Sequence, residues 1–208
     1  MGRNRYKINN KMKKIFVLIL FLTISLINFN FAYSISPDIF VQSTVNRASQ
    51  ILSENISKEE KMNKLKIIAK ETVDIKGIGF YSLGSKRKSL NEKQKKNYSN
   101  LFEKYFLKSF SSRLAEYTNP QIEVKNKDVL NENYTIVKSV LISTSERPEV
   151  SIDWRVYTKD LNNPLIRDLI IEGLSLARTQ KEEFASILNS NNGDINTLFK
   201  ALEEFSKN

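Results

Sequence analysis

The chain changes period at Asn119-Pro120. Ahead of that pair, apolar residues recur at the three-and-four spacing of a helix face; behind it, β-branched and aromatic residues gather in short runs divided by turn-forming stretches. Helices followed by strands on short connections predict an α+β layer, with helices covering one face of an antiparallel sheet. Pro120 itself cannot continue a helix, so the boundary is sharp.

In the helical half, Ser36-Pro37 sets a capping residue before a proline suited to a first turn, and Phe40, Val41, Val45, Ala48, Ile51 and Leu52 continue at helical spacing. Ser57-Lys58-Glu59-Glu60 is a capping box opening a second helix, with Met62, Leu65, Ile68 and Ala69 on one face. Asp74 to Leu83 contains Gly77 and Gly79 and reads as one or two helical turns loosened by glycine, ending at Gly84. Ser89-Leu90-Asn91-Glu92 is expected to cap the longest helix, running to about Tyr117. That helix carries Tyr98, Leu101, Phe102, Tyr105, Phe106, Phe110, Leu114 and Tyr117 on one broad face dense in rings. Such a stripe is either packed core or the lining of an apolar cavity, since both have the same composition.

Four segments of the second half read as strands: Gln121 to Val124, Tyr134 to Thr144, Val150 to Thr158 and Leu165 to Ile171. The short breaks between them predict a four-stranded, mainly antiparallel meander. Val150, Ile152, Trp154 and Val156 share one face, and Ser151, Asp153, Arg155 and Tyr157 the wetter one. Ile170-Ile171 then turns at Gly173 into a helix capped by Ser175, with Leu176, Phe184, Ile187 and Leu188 as its stripe. A last helix follows Asn192-Gly193-Asp194.

The first 34 residues read as a cleavable export signal. Arg3, Arg5, Lys7, Lys11, Lys13 and Lys14 precede an apolar run from Ile15 to Ile27, and Ala32-Tyr33-Ser34 supplies small residues for cleavage after Ser34. Met12 is an alternative start. The apolar run spans only about 20 Å as a helix, short of a bilayer core. One domain is expected over 35–208. The six basic residues of the leader take the net charge from +10 to +4, mild for a nucleic-acid binder, and no nucleic-acid partner is expected. With no cysteine, an exported protein must hold together by packing alone. With no histidine, the commonest general base and metal ligand are gone, and neither a metal site nor a cofactor is expected.

The run Ile170-Ile171-Glu172-Gly173-Leu174-Ser175-Leu176, continuing to Phe184 and Ile187-Leu188, resembles the V-x-x-E-G-[IV]-S-L…F-x-S-I stretch of the MlaC/Ttg2D family. Leu83-Gly84, Gln94, Tyr98, Tyr105-Phe106, Leu114 and Tyr117 are similar to that family's helix pattern, with Tyr98 where Phe is usual. Ile152-Trp154-Val156-Tyr157 takes the place of its V-x-Y strand. The resemblance implies an NTF2-like α+β fold around an apolar pocket and a periplasmic phospholipid carrier. It further implies exchange with an outer-membrane lipoprotein complex and an inner-membrane ABC transporter bearing an MCE-domain ring, maintaining outer-membrane lipid asymmetry. Leu101, Tyr105, Val140, Ile152, Trp154, Ile170 and Leu174 are expected at the acyl chains.

Two other classes compete. An enzyme on the same scaffold would use a buried carboxylate at Asp153, Asp168 or Glu172. Their structural alternatives are solvation for Asp153, pairing with Arg155 or Arg167 for Asp168, and fixing the turn before Ser175 for Glu172. A peptide-binding module would use the sheet edge. The basic cluster Lys86-Arg87-Lys88 with Lys93, Lys95 and Lys96 reads first as a solvated face and second as a docking surface.

Overall fold

Pro37 lacks the N–H that a helix leaves unpaired in its first turn, and it opens α1 (Pro37–Ser53). In the computed structural model, which describes residues 35–145, 147–160 and 162–207, Ser36 has a capping residue's extended backbone. Its hydroxyl, however, donates to Asp38 and does not cap the helix. The leader read from residues 1–34 lies outside the described residues. α2 (Lys58–Thr72) begins with the expected box: the Glu60 N–H donates to Ser57 Oγ at 3.2 Å and the Ser57 N–H to Glu60 Oε2 at 3.0 Å. Asp74 caps α3 (Ile75–Ser82) by accepting the Gly77 N–H at 2.8 Å. A 3-10 turn over Gly84–Ser89 follows, entered at Gly84 with φ +56°.

α4 (Glu92–Leu114) starts from Asn91, not from Ser89. Asn91 and Gln94 form the box, at 2.9 and 3.0 Å. Ser89 is already committed to the 3-10 turn, its hydroxyl donating to the Lys86 carbonyl at 2.9 Å. The helix also ends at Leu114, before the expected Tyr117.

The sheet comprises β1 (Ile122–Asn131), β2 (Tyr134–Leu141), β3 (Val150–Tyr157), β4 (Leu165–Ile171) and β5 (Leu174–Ser175). They lie in chain order, each antiparallel to the next. Five strands replace the expected four because β5 is two residues long, too short to leave an alternation in the sequence. β5 folds onto Ile170-Ile171 through Glu172 and Gly173, at φ +49° and +79°, the two left-handed positions of a primed hairpin turn. Open space surrounds the Cβ position of Gly173, so φ alone calls for glycine there. Ser175 then caps α5 (Leu176–Asn189), accepting the Arg178 N–H at 3.1 Å. Asp194 accepts the Asn196 N–H at 3.0 Å ahead of α6 (Ile195–Lys207).

β1 forms one edge of the sheet, and its two halves differ. Near its start the Gln42 side chain of α1 stands in for a further strand, accepting the Val124 N–H at 3.0 Å and donating to the Ile122 carbonyl at 3.4 Å. The second half runs uncovered to the turn, with register shifts on both sides and Val129 and Leu130 exposed. The core has two clusters. Val41 and Val45 of α1 meet Val137 and Val156 of the sheet, while the larger cluster gathers residues of α2 to α6 with Ile166. Trp154 packs against both.

Candidate functional site

The ring-dense face of α4 divides along its length. At its N-terminal half the fit is close: Tyr98 and Phe102 are fully buried, and the Tyr98 hydroxyl donates to the Gly79 carbonyl at 2.8 Å. A Cβ on Gly79 would lie 2.7 Å from the Phe102 ring, so α3 needs glycine where α4 crosses it. Burial pushes the Tyr98 phenol far above its ordinary range. This part of the stripe is core.

Further along, Leu101, Tyr105, Phe106 and Phe110 are only partly buried. Phe102, Phe106 and Phe110 continue the row of rings at 6.1 and 5.6 Å between centroids. α4 lies closely against α2, α3 and α6, whereas the strands are approached closely by α1, α3 and α5. The layer between α4 and the strands is therefore filled by side chains, not by close backbone packing. Trp154 and Leu169 enter that layer from the sheet, also partly buried. Tyr105 keeps one polar contact, donating to Gln180 Oε1 at 2.7 Å. Burial, with Glu183 nearby, raises its phenol.

Strand register decides which sheet residues look toward the helices. Val137 and Val156 pack on α1, so their face is the inner one. Ile152, Trp154, Leu169, Ile171 and Leu174 share it by pairing and alternation. Its polar atoms are satisfied in place: the Trp154 Nε1–H donates to Ser139 Oγ at 2.8 Å, and the Ser139 hydroxyl to the Ile152 carbonyl at 3.0 Å. Of the seven residues expected at the acyl chains, Leu101, Tyr105, Ile152, Trp154 and Leu174 belong to this layer or its rim. Val140 and Ile170 do not join them. Val140 pairs with Ser151 and Ile170 with Asp153, on the outer face.

Asp153 and Asp168 lie on that outer face, and Asp168 and the turn residue Glu172 each have a structural task. Buried Asp168 accepts the Ser175 hydroxyl at 2.6 Å and the Ala177 N–H at 2.9 Å, with Arg155 3.7 Å away. It fastens the start of α5, and Arg155, not Arg167, is its ion partner. Arg167 donates to Asp74 and to the Tyr134 hydroxyl, both at 2.6 Å, while its guanidinium stacks 3.7 Å from the centre of the Tyr157 ring. Burial works against that charge, but the bonds from Tyr134 and Asp74 outweigh it and hold Arg167 above its ordinary range. Glu172 accepts the Ser151 N–H and thereby ties the β4–β5 turn to β3. Asp153, half-buried, stands opposite Lys138.

One end of the inner face is rimmed by apolar side chains. Leu141 pairs with Val150, Ile152 with Ile171, and Ile171 with Leu174. Just beyond, Tyr117, Ile142, Leu174 and Leu176 are exposed. Arg147, in the loop between β2 and β3, lies over the Tyr117 ring at 5.2 Å. Neither Phe106, Phe110 and Leu169 nor Arg147 was among the expected site residues. The two phenylalanines were visible in the α4 stripe, but nothing in sequence marked Arg147. Of the basic cluster, Lys95 pairs with Glu92 at 2.8 Å, and Arg87, Lys88, Lys93 and Lys96 are exposed. Among the described residues no group of three or more acidic residues is placed to hold a metal ion, and no helix is long and apolar enough to cross a membrane.

Three comparisons bear on this arrangement. No curated protein matches the chain. Among solved structures, the phospholipid-binding protein of Ralstonia solanacearum, determined in complex with a phospholipid, matches with a TM-score of 0.70 at 18% identity. The match covers 83% of this chain and 98% of that one, and it is a likeness of fold. Residues 42–204 match the family described as MlaC protein, which is most of the length, and the chain belongs to that family.

Proposed function

We propose that this chain is a periplasmic phospholipid carrier that holds acyl chains between α4 and the inner face of the sheet. One observation supports the reading most: α4 stands off the strands, and the layer between them is lined by partly buried apolar side chains. A lipid tail needs an apolar lining, and the side chains of this layer supply one. Leu101, Tyr105, Ile152, Trp154 and Leu174 line it, with Phe106, Phe110 and Leu169 added. The likeness in fold to a protein solved with a phospholipid points the same way. Each methylene left in water costs about 0.8 kcal/mol, so a carrier that covers the tails removes most of the barrier to crossing an aqueous compartment. In this reading the leader directs export, and the domain exchanges lipid between an outer-membrane lipoprotein complex and an inner-membrane ABC transporter with an MCE-domain ring, preserving outer-membrane asymmetry.

The enzyme reading has less to stand on, because Asp153 and Asp168 lie on the outer face and Glu172 is tied to Ser151. Organic extraction of the purified mature protein followed by mass spectrometry tests the carrier directly. About one phospholipid per chain is expected for a pocket of drug-like to lipid-like size. A stable protein free of lipid that takes none up from vesicles refutes the reading. Lysophospholipid or free fatty acid accumulating from bound lipid replaces it with a hydrolase.

A further inference from the structure

We propose that Arg147 binds the phosphodiester of the carried lipid at the mouth of the pocket, an inference that rests on the carrier reading above. The Nε–H of Arg147 is buried and has no hydrogen-bond partner among the described residues. A guanidinium stays charged at any physiological pH, and a buried donor left unpaired is costly, so the atom calls for an acceptor. Arg47, Arg155 and Arg167 each have a carboxylate within reach; Arg147 has none among the described residues. What it has is a ring: Tyr117 lies 5.2 Å below its Cζ and restrains the guanidinium.

Position supplies the ligand. Tyr117 lies three residues past the end of α4, so Arg147 reaches from its loop to the segment that leaves that helix. There it stands beside the rim formed by Leu141, Val150, Ile171 and Leu174. A lipid whose tails fill the layer under α4 brings its glycerol phosphate to that rim. A planar fork matched to two oxygens of one phosphate recognises the group common to all phospholipids and leaves the rest of the headgroup unread.

The test compares the parent with R147Q and R147K, using vesicles of phosphatidylglycerol and of phosphatidylethanolamine, diacylglycerol with the same tails, and inorganic phosphate alone. R147Q is expected to weaken retention of both phospholipids about tenfold, as loss of a charge-assisted bond does, while diacylglycerol uptake holds level. R147K, which keeps charge but loses the fork, should fall between. Equal losses for diacylglycerol and phospholipid in R147Q reduce Arg147 to a packing residue. Unchanged phospholipid retention in both variants overturns the proposal while leaving the carrier intact. Inorganic phosphate binding the lipid-free parent as tightly as phospholipid would assign the site to free phosphate instead. A parent that takes up neither lipid removes the carrier reading, and this one with it.

Discussion

The two faces of β3 are made of opposite chemistry. Ile152, Trp154 and Val156 look inward, and the hydrogen bonds of that face are closed locally through Ser139. Asp153, Arg155 and Tyr157 look outward, and Arg155 and Tyr157 join a network with Asp74, Tyr134, Arg167 and Asp168. Asp168 on the outer face fastens the start of α5, whereas the polar groups of the inner layer, the Tyr105 and Ser139 hydroxyls, are held in hydrogen bonds to Gln180 and to Trp154 and Ile152. The difference teaches that closeness in sequence misleads here: Asp153 and Asp168 neighbour Ile152, Trp154 and Leu169 in the chain but lie across the sheet from them.

The most direct way to break this comparison is to place one charge on each face. Ile152→Glu puts an unpaired carboxylate in the inner layer, at a cost of several kcal/mol, so lipid retention should fall about a hundredfold or more. Ile170→Glu, on the outer face beside Asp153, should keep retention wherever circular dichroism shows a folded protein. Equal loss in the two folded variants would mean that the pocket is not confined to the inner face. A smaller effect is expected from Asp168→Asn. It keeps the shape but weakens the bonds to Ser175 and Ala177, and denaturant unfolding should show a loss of about 1–3 kcal/mol. Lipid carriage by the folded variant should be normal, and a lost hydrolytic activity would contradict the division of faces.

The smallest effect concerns pH. The bond from Lys127, then that from Ser36, holds the Asp38 carboxyl at about 2, below its ordinary 3.8. Its contribution to stability is thus fully present above pH 3.8 and lost as pH falls through about 2. Both side chains are more than a third exposed, so screening limits the contribution to about a few tenths of a kcal/mol. Thermal melts of the parent and D38N should differ slightly at neutral pH and converge toward pH 2.

Much of this arrangement was legible because local chemistry writes it locally. The box at Ser57 needed only its spacing, and the change of period at Asn119-Pro120 separated helices from strands. The α4 cap was misplaced because Ser89-x-x-Glu92 and Asn91-x-x-Gln94 overlap, and only the 3-10 turn decides between them. The inner face of β3 was readable from its alternation. That of β2 was not, because Ile136-Val137 and Val140-Leu141 are apolar at both parities, while Ser139 is turned inward by its bonds to Trp154 and Ile152. Ile170-Ile171 poses the same ambiguity in β4, where a register shift opposite Arg155 resets the alternation. Arg147 owes its place to a loop and to a ring from another element, which no periodicity records.

The uncovered half of β1 has a consequence for the protein's behaviour in bulk. A free strand edge is a template for a second copy, and Gln42 blocks only its first part. Beyond it, Val129 and Leu130 stand 73% and 53% exposed at the hairpin tip. The register shifts on either side bend the strand away from flatness, and Lys125, Lys127 and Lys138 put charge along the hairpin. Colloidal stability therefore rests in part on the lysines of this hairpin. Acetylating them in the folded protein should shorten its shelf life at high concentration well before it alters the shape of the monomer.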